Sequence, residues 1–428
     1  MNSADSMQVA AGLEAMGYLP VLRAEEADVI VLNTCVVRQS AEDKAIGRLT
    51  SLKQLKKQNP GVVINLMGCL VGVHGNDTLK QRYPYVDVFS APSDSQALIE
   101  YLTAHTPHPL TQEKDKVNRI LEQKVNYRLP ASQAGRQVSA FLPIIYGCSH
   151  ACTYCVIPLR RGPEKSRPMQ EILQDARQFV EQGVREITLL GQIVDRYGLD
   201  LAERHSLSEL LSQVHALEGL ERIRFLTSHP LWMSMELLDT IAKLPKVMPH
   251  IELPIQSGDD AVLQRMKRGY SVAQFLNLVT EIRKRFEQVS LATDLIVGFP
   301  GETEIQFENS IQLLQEIQPD MTHIARFSPR PGTLAAREMV DDVPAEEKEN
   351  RFRLAEEVQE EISTKINQHY LNTQVPVLFE EKIKSRWRGR TPTNKLVFTE
   401  SEQDLLGKTC QVQIEWTGPW SMIGKLAE

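Results

Sequence analysis

Apolar positions recur along this chain with two periods, and the order in which the periods alternate predicts the architecture. Near the amino terminus Met7, Ala10, Leu13 and Met16 lie at helical spacing before the stop signal Gly17-Tyr18, and Asp28-Val29-Ile30-Val31-Leu32-Asn33 is a short apolar run of strand type. Helical spacing returns through Ala45, Leu49, Leu52 and Leu55, followed by strand-like runs at Val62-Val63-Ile64-Asn65-Leu66-Met67 and Val86-Asp87-Val88-Phe89. Residues 1–104 therefore read as an α/β unit, a small doubly wound parallel sheet covered by helices. Pro107-His108-Pro109, a charged helix-like piece and Ala131-Ser132-Gln133-Ala134-Gly135 read as a linker over 105–137.

The alternation then resumes at larger scale. Six strand runs are counted: Phe141-Leu142-Pro143-Ile144-Ile145-Tyr146, Glu186 to Leu190, Arg222 to Leu226, His250 to Pro254, Val289 to Ile296, and Met321 to Phe327. Helical segments separate them, so residues 138–370 predict an incomplete (β/α)6 barrel with its chemistry at the carboxyl ends of the strands. A charged helix beginning near Val343-Pro344, with Phe352, Ala355, Ile362 and Ile366 on one stripe, closes this part. Residues 371–428 turn to short strand-like runs such as Val375 to Phe379 and Cys410 to Ile414, the pattern of a small β-barrel.

Composition changes this picture little. Of 428 residues 42% are apolar and 24% charged, which is ordinary for a globular protein and excludes fibrous and disordered classes. No leader pattern opens the chain and no apolar stretch reaches spanning length, so a cytoplasmic protein with no membrane partner is expected. A net charge of −7 argues against a surface that traps nucleic acid everywhere, but leaves room for a local strip. Lys382, Lys384, Arg386, Arg388 and Arg390 occupy alternate positions, so one extended strand would put all five on one face and Ile383, Trp387 and Gly389 on the other. Two readings compete: contact with nucleic-acid phosphates, or a solvated edge strand guarded by charge.

The candidate chemistry lies in cysteines. Cys148, Cys152 and Cys155 form C-x3-C-x2-C on one short loop after the first barrel run. Three thiolates are one too few to close a structural zinc site, whereas a four-iron cubane held by three cysteines keeps one iron open to a ligand. Buried or disulfide-bonded cysteines are the bland alternative. Cys35 and Cys69 each follow a strand of the amino-terminal sheet, where ligands of open α/β folds gather; small buried hydrophobes are the competing reading. Cys410 reads as core. Gly191-Gln192, Ser228-His229-Pro230, Gln256-Ser257-Gly258 and the run from Gly298 to Thr303 end successive barrel strands, in register with the cysteine loop, and suit a ligand with polar and planar parts.

The cysteine loop, with Tyr154 just before its last cysteine, resembles the cluster motif of the radical S-adenosylmethionine enzymes. Within that superfamily the chain is similar to the methylthiotransferases, through Asn33-Thr34-Cys35 with Val37-Arg38, Met67-Gly68-Cys69, Arg161-Gly162 with Ser166-Arg167-Pro168, Leu189-Leu190-Gly191-Gln192, Leu253-Pro254-Ile255-Gln256-Ser257-Gly258, and Thr293-Asp294 leading to Gly298-Phe299-Pro300-Gly301-Glu302-Thr303. The resemblance covers nearly the whole chain. It implies that Cys148, Cys152 and Cys155 hold a [4Fe-4S] cluster whose open iron binds S-adenosyl-L-methionine. Tyr154, Gly191, Gln192, Ser228, Gln256 and Asp294 would surround that cofactor, and Cys35 and Cys69 would hold part of a second cluster. The family uses three cysteines for the second cluster and this chain shows two. The third belongs to a Gly-Cys-x-Met-Asn segment that Met1-Asn2 would end, so the reading frame is expected to continue upstream and encode it. Leu70-Val71-Gly72-Val73 also departs from the more polar run usual after Cys69.

Gly389-Arg390-Thr391 and Asn394-Lys395-Leu396-Val397-Phe398 resemble the RNA-binding terminal (TRAM-like) domain of the tRNA-modifying members. The resemblance thus implies methylthiolation of carbon 2 of dimethylallyl adenosine beside the anticodon of tRNA, by a monomer taking electrons from a flavodoxin or ferredoxin. Two alternatives within the family are threonylcarbamoyl adenosine in tRNA and an aspartate of a ribosomal protein. An alternative from another class is an RNA-binding iron–sulfur protein without methylthiotransferase turnover.

Overall fold

In the computed structural model, which describes residues 1–74, 77–105 and 127–427, most of the strand runs read from the sequence form where the apolar pattern puts them. The chain divides into two compact units. Unit 1 comprises Met1–Ala134, Phe141–His150 and Cys155–Gln182, and unit 2 comprises Gly135–Ala140, Ala151–Tyr154 and Gly183–Glu428.

Unit 1 is built on β1 (Val29–Thr34), β2 (Val63–Gly68) and β3 (Val88–Ser90), parallel and in that order. β2 is buried on both faces, which is why it reads as an apolar run interrupted only by Asn65. Its residues alternate between two cores. Ile64 and Leu66 pack with Leu49 and Leu52 of the long helix α2 (Gln39–Gln58), whereas Val63 and Met67 pack with Val9 of α1 (Asn2–Ala15). Short α3 (Asp77–Arg82) adds Leu79 to the first core, and α4 (Gln96–His105) adds Leu98, Ile99 and Leu102 to the second.

Two expectations require correction here. The run from Phe141 to Tyr146 is not one strand: β4 (Ser139–Pro143) ends at Pro143, whose ring fixes φ and removes a donor, and β5 (Ile145–Tyr146) instead pairs antiparallel with β6 (Lys165–Ser166). Of the segment read as a linker, residues 106–126 lie outside the described residues, but Tyr127 is fully buried. Its hydroxyl accepts a hydrogen bond from Tyr146 at 3.0 Å, and the Arg167 guanidinium lies 5.1 Å from its ring centroid. Arg167 in turn pairs with the buried Asp175 at 2.5 Å. The cysteine loop is followed by the short α5 (Ile157–Arg161), and α6 (Met169–Glu181) completes this part.

In unit 2, β7 (Glu186–Leu190) pairs with β8 (Arg222–Phe225), and β9 (His250–Glu252), β10 (Ser290–Val297) and β11 (Met321–Arg326) form a second parallel set. The helices between them are α7 (Leu207–His215), α8 (Met235–Lys243), α9 (Asp260–Arg265), α10 (Val272–Arg285), α11 (Glu304–Ile317) and, after β11, α12 (Leu334–Glu338) and α13 (Ala345–Gln368). Ser206 with Glu209, Ser271 with Gln274 and Thr303 with Gln306 close capping boxes, so each of these helix starts is written in the sequence three residues apart.

The carboxy-terminal strands β12 (Gln374–Ile383), β13 (Arg386–Arg390), β14 (Leu396–Glu400), β15 (Thr409–Thr417) and β16 (Met422–Leu426) close into a barrel in the order β12-β13-β14-β16-β15. Val377, Phe379, Trp387, Val397, Val412, Ile414 and Met422 fill it. The five basic residues do not share one strand. The chain reverses at Lys384, whose φ is 55°, so Lys382 ends one strand and Arg386, Arg388 and Arg390 belong to the next. Arg386 pairs with Glu400 at 2.9 Å, Arg388 with Glu381, and Arg390 approaches Glu380 at 3.8 Å. The repulsion implied by the alternating pattern is thus met by carboxylates from the neighbouring strands.

This barrel packs on the core strands through charged groups. Arg222 donates to the carbonyl of Arg390 at 2.7 Å, and Arg224 donates to the carbonyls of Thr391 and Pro392, each at 2.9 Å. Lys395 pairs with Asp320 at 2.6 Å.

Gly258, after β9, is held against α11: a Cβ there would lie 2.5 Å from Ser310 Cα and 2.6 Å from the Asn309 carbonyl oxygen. Helix backbone cannot yield as a flexible side chain would. Gly258→Ala is therefore expected to lower unfolding stability by ~1–3 kcal/mol in a denaturant titration; an unchanged midpoint would contradict this packing.

Candidate functional site

In unit 1, the register that sets Thr34 opposite Gly68 brings the next residues, Cys35 and Cys69, to the same edge of the sheet. The turn between them is tight. Gly68 has φ +98°, and a Cβ on it would lie 2.5 Å from Asn33 Oδ1 and 2.6 Å from the Thr34 carbonyl oxygen. The Thr34 hydroxyl donates to the Met67 carbonyl at 2.7 Å and accepts from the Leu70 amide at 3.2 Å, which fixes the loop carrying Cys69.

Arg161, at the end of α5 and 8% exposed, reaches into this edge. It donates to Cys69 Sγ at 3.3 Å, to Asn2 Oδ1 at 2.7 Å and to the buried Asp5 carboxylate at 3.3 Å. Burial pushes the Cys69 thiol above its ordinary pKa while the guanidinium pulls the other way. Burial prevails over the guanidinium, so the neutral thiol is favoured here and Arg161 offsets only part of the cost of charge on that sulfur.

The cysteine loop begins where Gly147 passes against the backbone of Pro163, with φ +60° and a Cβ position 2.0 Å from the Pro163 carbonyl oxygen. Cys148 donates its amide to the Gly162 carbonyl at 3.0 Å, and the His150 amide points at Cys148 Sγ at 3.4 Å. Cys155 is half-buried. Within unit 2, Thr153 is anchored by its amide and hydroxyl to the carbonyls of Met266 and Arg265, at 3.2 and 3.0 Å. Tyr154 meets Phe299 edge to face at 6.4 Å. The buried Arg268 donates to Cys152 Sγ at 3.2 Å, to the Pro254 carbonyl at 3.2 Å and to the Tyr270 hydroxyl at 3.1 Å. None of the six cysteines is in a disulfide, which removes the disulfide reading.

The strand ends of unit 2 carry the remaining candidates. Gly191 accepts a hydrogen bond from Thr227 Oγ1 at 3.0 Å, and Gln192 beside it is half-buried. Ser228 is 3% exposed, and its hydroxyl faces the Asp195 carboxylate. Thr227 and Gln256 both hold left-handed backbone, at φ 64° and 78°, unusual for residues with side chains. The Gln256 amide donates to the Asp294 carbonyl at 2.8 Å. Asp294 also faces two groups absent from the expectations, Glu252 and His323, with ligand atoms of all three within 4.8 Å of one another. Burial first, and Asp294 second, raise the Glu252 carboxyl to about 7. Burial likewise raises Asp195, which accepts from the His229 amide at 2.7 Å, to about 7. Glu252 sits within a strand run, and Arg268 lies between helices; neither position carries a periodic signal that marks it.

These residues fit the groups the resemblance implies to different degrees. Three cysteines on one loop and in no disulfide, with the Cys148 sulfur facing an amide and the Cys152 sulfur a guanidinium, suit a cluster whose sulfurs need hydrogen-bond donors. At the other edge Cys35 and Cys69 supply two of the three thiolates that a second cluster would use.

Comparison with known proteins agrees with this division. The Radical SAM superfamily matches residues 142–314, and the Uncharacterized protein family UPF0004 matches residues 1–91. A tRNA-2-methylthio-N(6)-dimethylallyladenosine synthase of Herpetosiphon aurantiacus is 45% identical over 429 residues, spanning 100% of this chain and 95% of the relative. A protein of the same name from a Roseiflexus species is 45% identical, spanning 100% of this chain and 87% of the relative. Among solved structures, the cobalamin-dependent S-adenosylmethionine radical enzyme OxsB superposes with a TM-score of 0.51 at 11% identity, over 83% of this chain and 53% of that one, a likeness of fold.

Glu252 gives a pH test. With its folded pKa near 7 against an ordinary 4.5, the native state holds the extra proton between these values, so its burial costs stability progressively as pH rises through that window. Glu252→Gln removes the titration. The variant should gain on the parent by on the order of 1–3 kcal/mol between the two ends of the window, read from denaturant midpoints; parallel pH profiles would show that Glu252 titrates alike in the folded and unfolded chain.

Proposed function

The chain belongs to the tRNA-2-methylthio-N(6)-dimethylallyladenosine synthase family of radical S-adenosylmethionine enzymes, and from that premise we propose how its residues place a methylthio group on carbon 2 of dimethylallyl adenosine in tRNA. The observation that carries the assignment of roles is the Cys148, Cys152 and Cys155 loop, with Cys152 fixed by the buried Arg268. These three would hold the [4Fe-4S] cluster. When bound, such a cluster would supply the single electron that starts radical chemistry from S-adenosylmethionine.

The protein's own part is placement. Gly147 allows the loop to pass against Pro163, and Thr153 ties it to the segment before Arg268. Tyr154, Gly191, Gln192, Ser228, Gln256 and Asp294 are the groups proposed to receive the cofactor's polar parts. The left-handed backbone at Gln256 sets the residue's direction without reliance on its rotamer. Cys35 and Cys69 are proposed as ligands of the second cluster, with Arg161 donating to Cys69. The proposed working parts are residues 1–104 for that cluster, 138–370 for radical chemistry and 371–428 for RNA, the last through Lys382, Lys384, Arg386, Arg388 and Arg390.

None of the described helices is long and apolar enough to cross a membrane. The proposed setting is a cytoplasmic monomer reduced by a flavodoxin or ferredoxin.

Two variants separate the halves of the reaction. Cys152→Ala should abolish 5′-deoxyadenosine formation, whereas Cys69→Ala should retain it and lose methylthio transfer, both followed by mass spectrometry of tRNA nucleosides. Undiminished 5′-deoxyadenosine from Cys152→Ala would sink the cluster assignment. Methylthio transfer by Cys69→Ala would remove Cys69 from the chemistry. In cells lacking the protein, tRNA should accumulate dimethylallyl adenosine without the methylthio group, and unchanged nucleosides would reject the proposed substrate.

A further inference from the structure

Along β15 the alternation of the barrel interior is broken once. Val412 and Ile414 are fully buried, so strict alternation would send Trp416 inward after them. A bulge between Ile414 and Trp416 shifts the register against β16 and turns the indole outward, leaving it 51% exposed. An indole withheld from an apolar core forgoes the largest burial gain any side chain offers. Four residues on, Trp420 is also half-exposed, at 49%.

The turn that joins the two residues is fixed. The Gly418 amide donates to the Ser421 carbonyl at 2.9 Å, closing the turn between β15 and β16. The buried Asn367 of α13 donates to the Gly418 and Pro419 carbonyls at 2.7 and 3.0 Å, so the turn is tied to the core helix. The Trp416 ring lies over Gly418, with Cη2 only 2.4 Å from where a Cβ would stand. One end of that ring is thus backed by the turn, and half of its surface remains open. Between the two residues in sequence lies no charge, and the adjacent Glu415 is neutralised by Lys425 at 2.7 Å.

We propose that Trp416 and Trp420 form a stacking platform for unpaired bases of the tRNA substrate, an inference that rests on the reading of this chain as a tRNA-modifying enzyme. The chemistry is that of flat π-faces, which accept bases without reading their hydrogen-bonding edges. This separates the platform from the basic hairpin. Stacking displaces no counterions from phosphate, so it contributes affinity without adding to the salt dependence, whereas the arginines of β13 would contribute both.

The test uses the full chain, with two probes: tRNA carrying dimethylallyl adenosine, and a short single-stranded oligoadenylate. Trp416→Ala and Trp420→Ala should each weaken binding of both probes about tenfold with an unchanged slope against salt, and Trp416→Phe should recover most of the loss. Arg386→Ala with Arg388→Ala should instead flatten the slope. Thermal unfolding at the parental temperature in the tryptophan variants excludes a collapsed barrel; if Trp416→Ala unfolds, Trp420→Ala and the phenylalanine variant carry the comparison. Parental affinity in the folded tryptophan variants overturns the platform and leaves the tRNA reading standing. A loss confined to electron delivery from a reductant overturns it in favour of a protein contact. A parent chain that binds neither probe overturns both the platform and the reading beneath it.

Discussion

A buried guanidinium group is tolerated only where its donors are met, and unit 2 depends on two of them. Arg222 and Arg224 are 4% and 3% exposed and lie on the same side of β8. Arg224 pairs with the equally buried Glu186 at 3.0 Å and spends its remaining donors on the carbonyls of Thr391 and Pro392. Removing either partner would leave a charge stranded, so the core strands and the barrel loop specify each other. Burial lowers Arg222 to about 10, and the same region, burial first and then its cations, lowers His250 to about 3, which keeps that imidazole neutral where Asn394 meets it. The attachment is polar and directional, and it fixes the orientation of the barrel as an apolar seam would not.

Buried arginine is used again at sulfur. Arg161 on Cys69 and Arg268 on Cys152 arise from different elements, each anchored by additional acceptors so that the guanidinium cannot swing away. A cation facing a thiolate stabilises the more reduced state of whatever the sulfur binds, because that state carries the extra negative charge. The same electrostatic device thus meets one cysteine in each unit.

Where burial is continuous, the apolar pattern was enough to place the element: β2 stands where its run puts it. Errors came where a single residue overrides a period. Pro143 divides one apolar run into two strands, and Lys384 folds an apparently continuous basic strand into a hairpin. The cysteines were legible because their spacing is local chemistry. The contacts of Arg161, Arg268 and Glu252 were not, since each acts on a residue from 42 to more than 90 positions away in sequence and nothing in a linear pattern announces such a partner. Buried Tyr127, in a stretch that reads as linker, shows the same limit from the other direction.

The carboxylates on the basic hairpin change what the arginines can do. Because Arg386 and Arg388 are already paired with Glu400 and Glu381, an incoming phosphate must take the place of a resident anion. Binding becomes an exchange in which glutamate returns to water as phosphate arrives, and the net attraction is smaller than the number of arginines suggests. Dispersed anions compete poorly against an anion tethered alongside, whereas a polyanion of matching shape can displace several at once. A face built this way would favour a polyanion of fixed shape over loose charge, and would release it once the fit is lost.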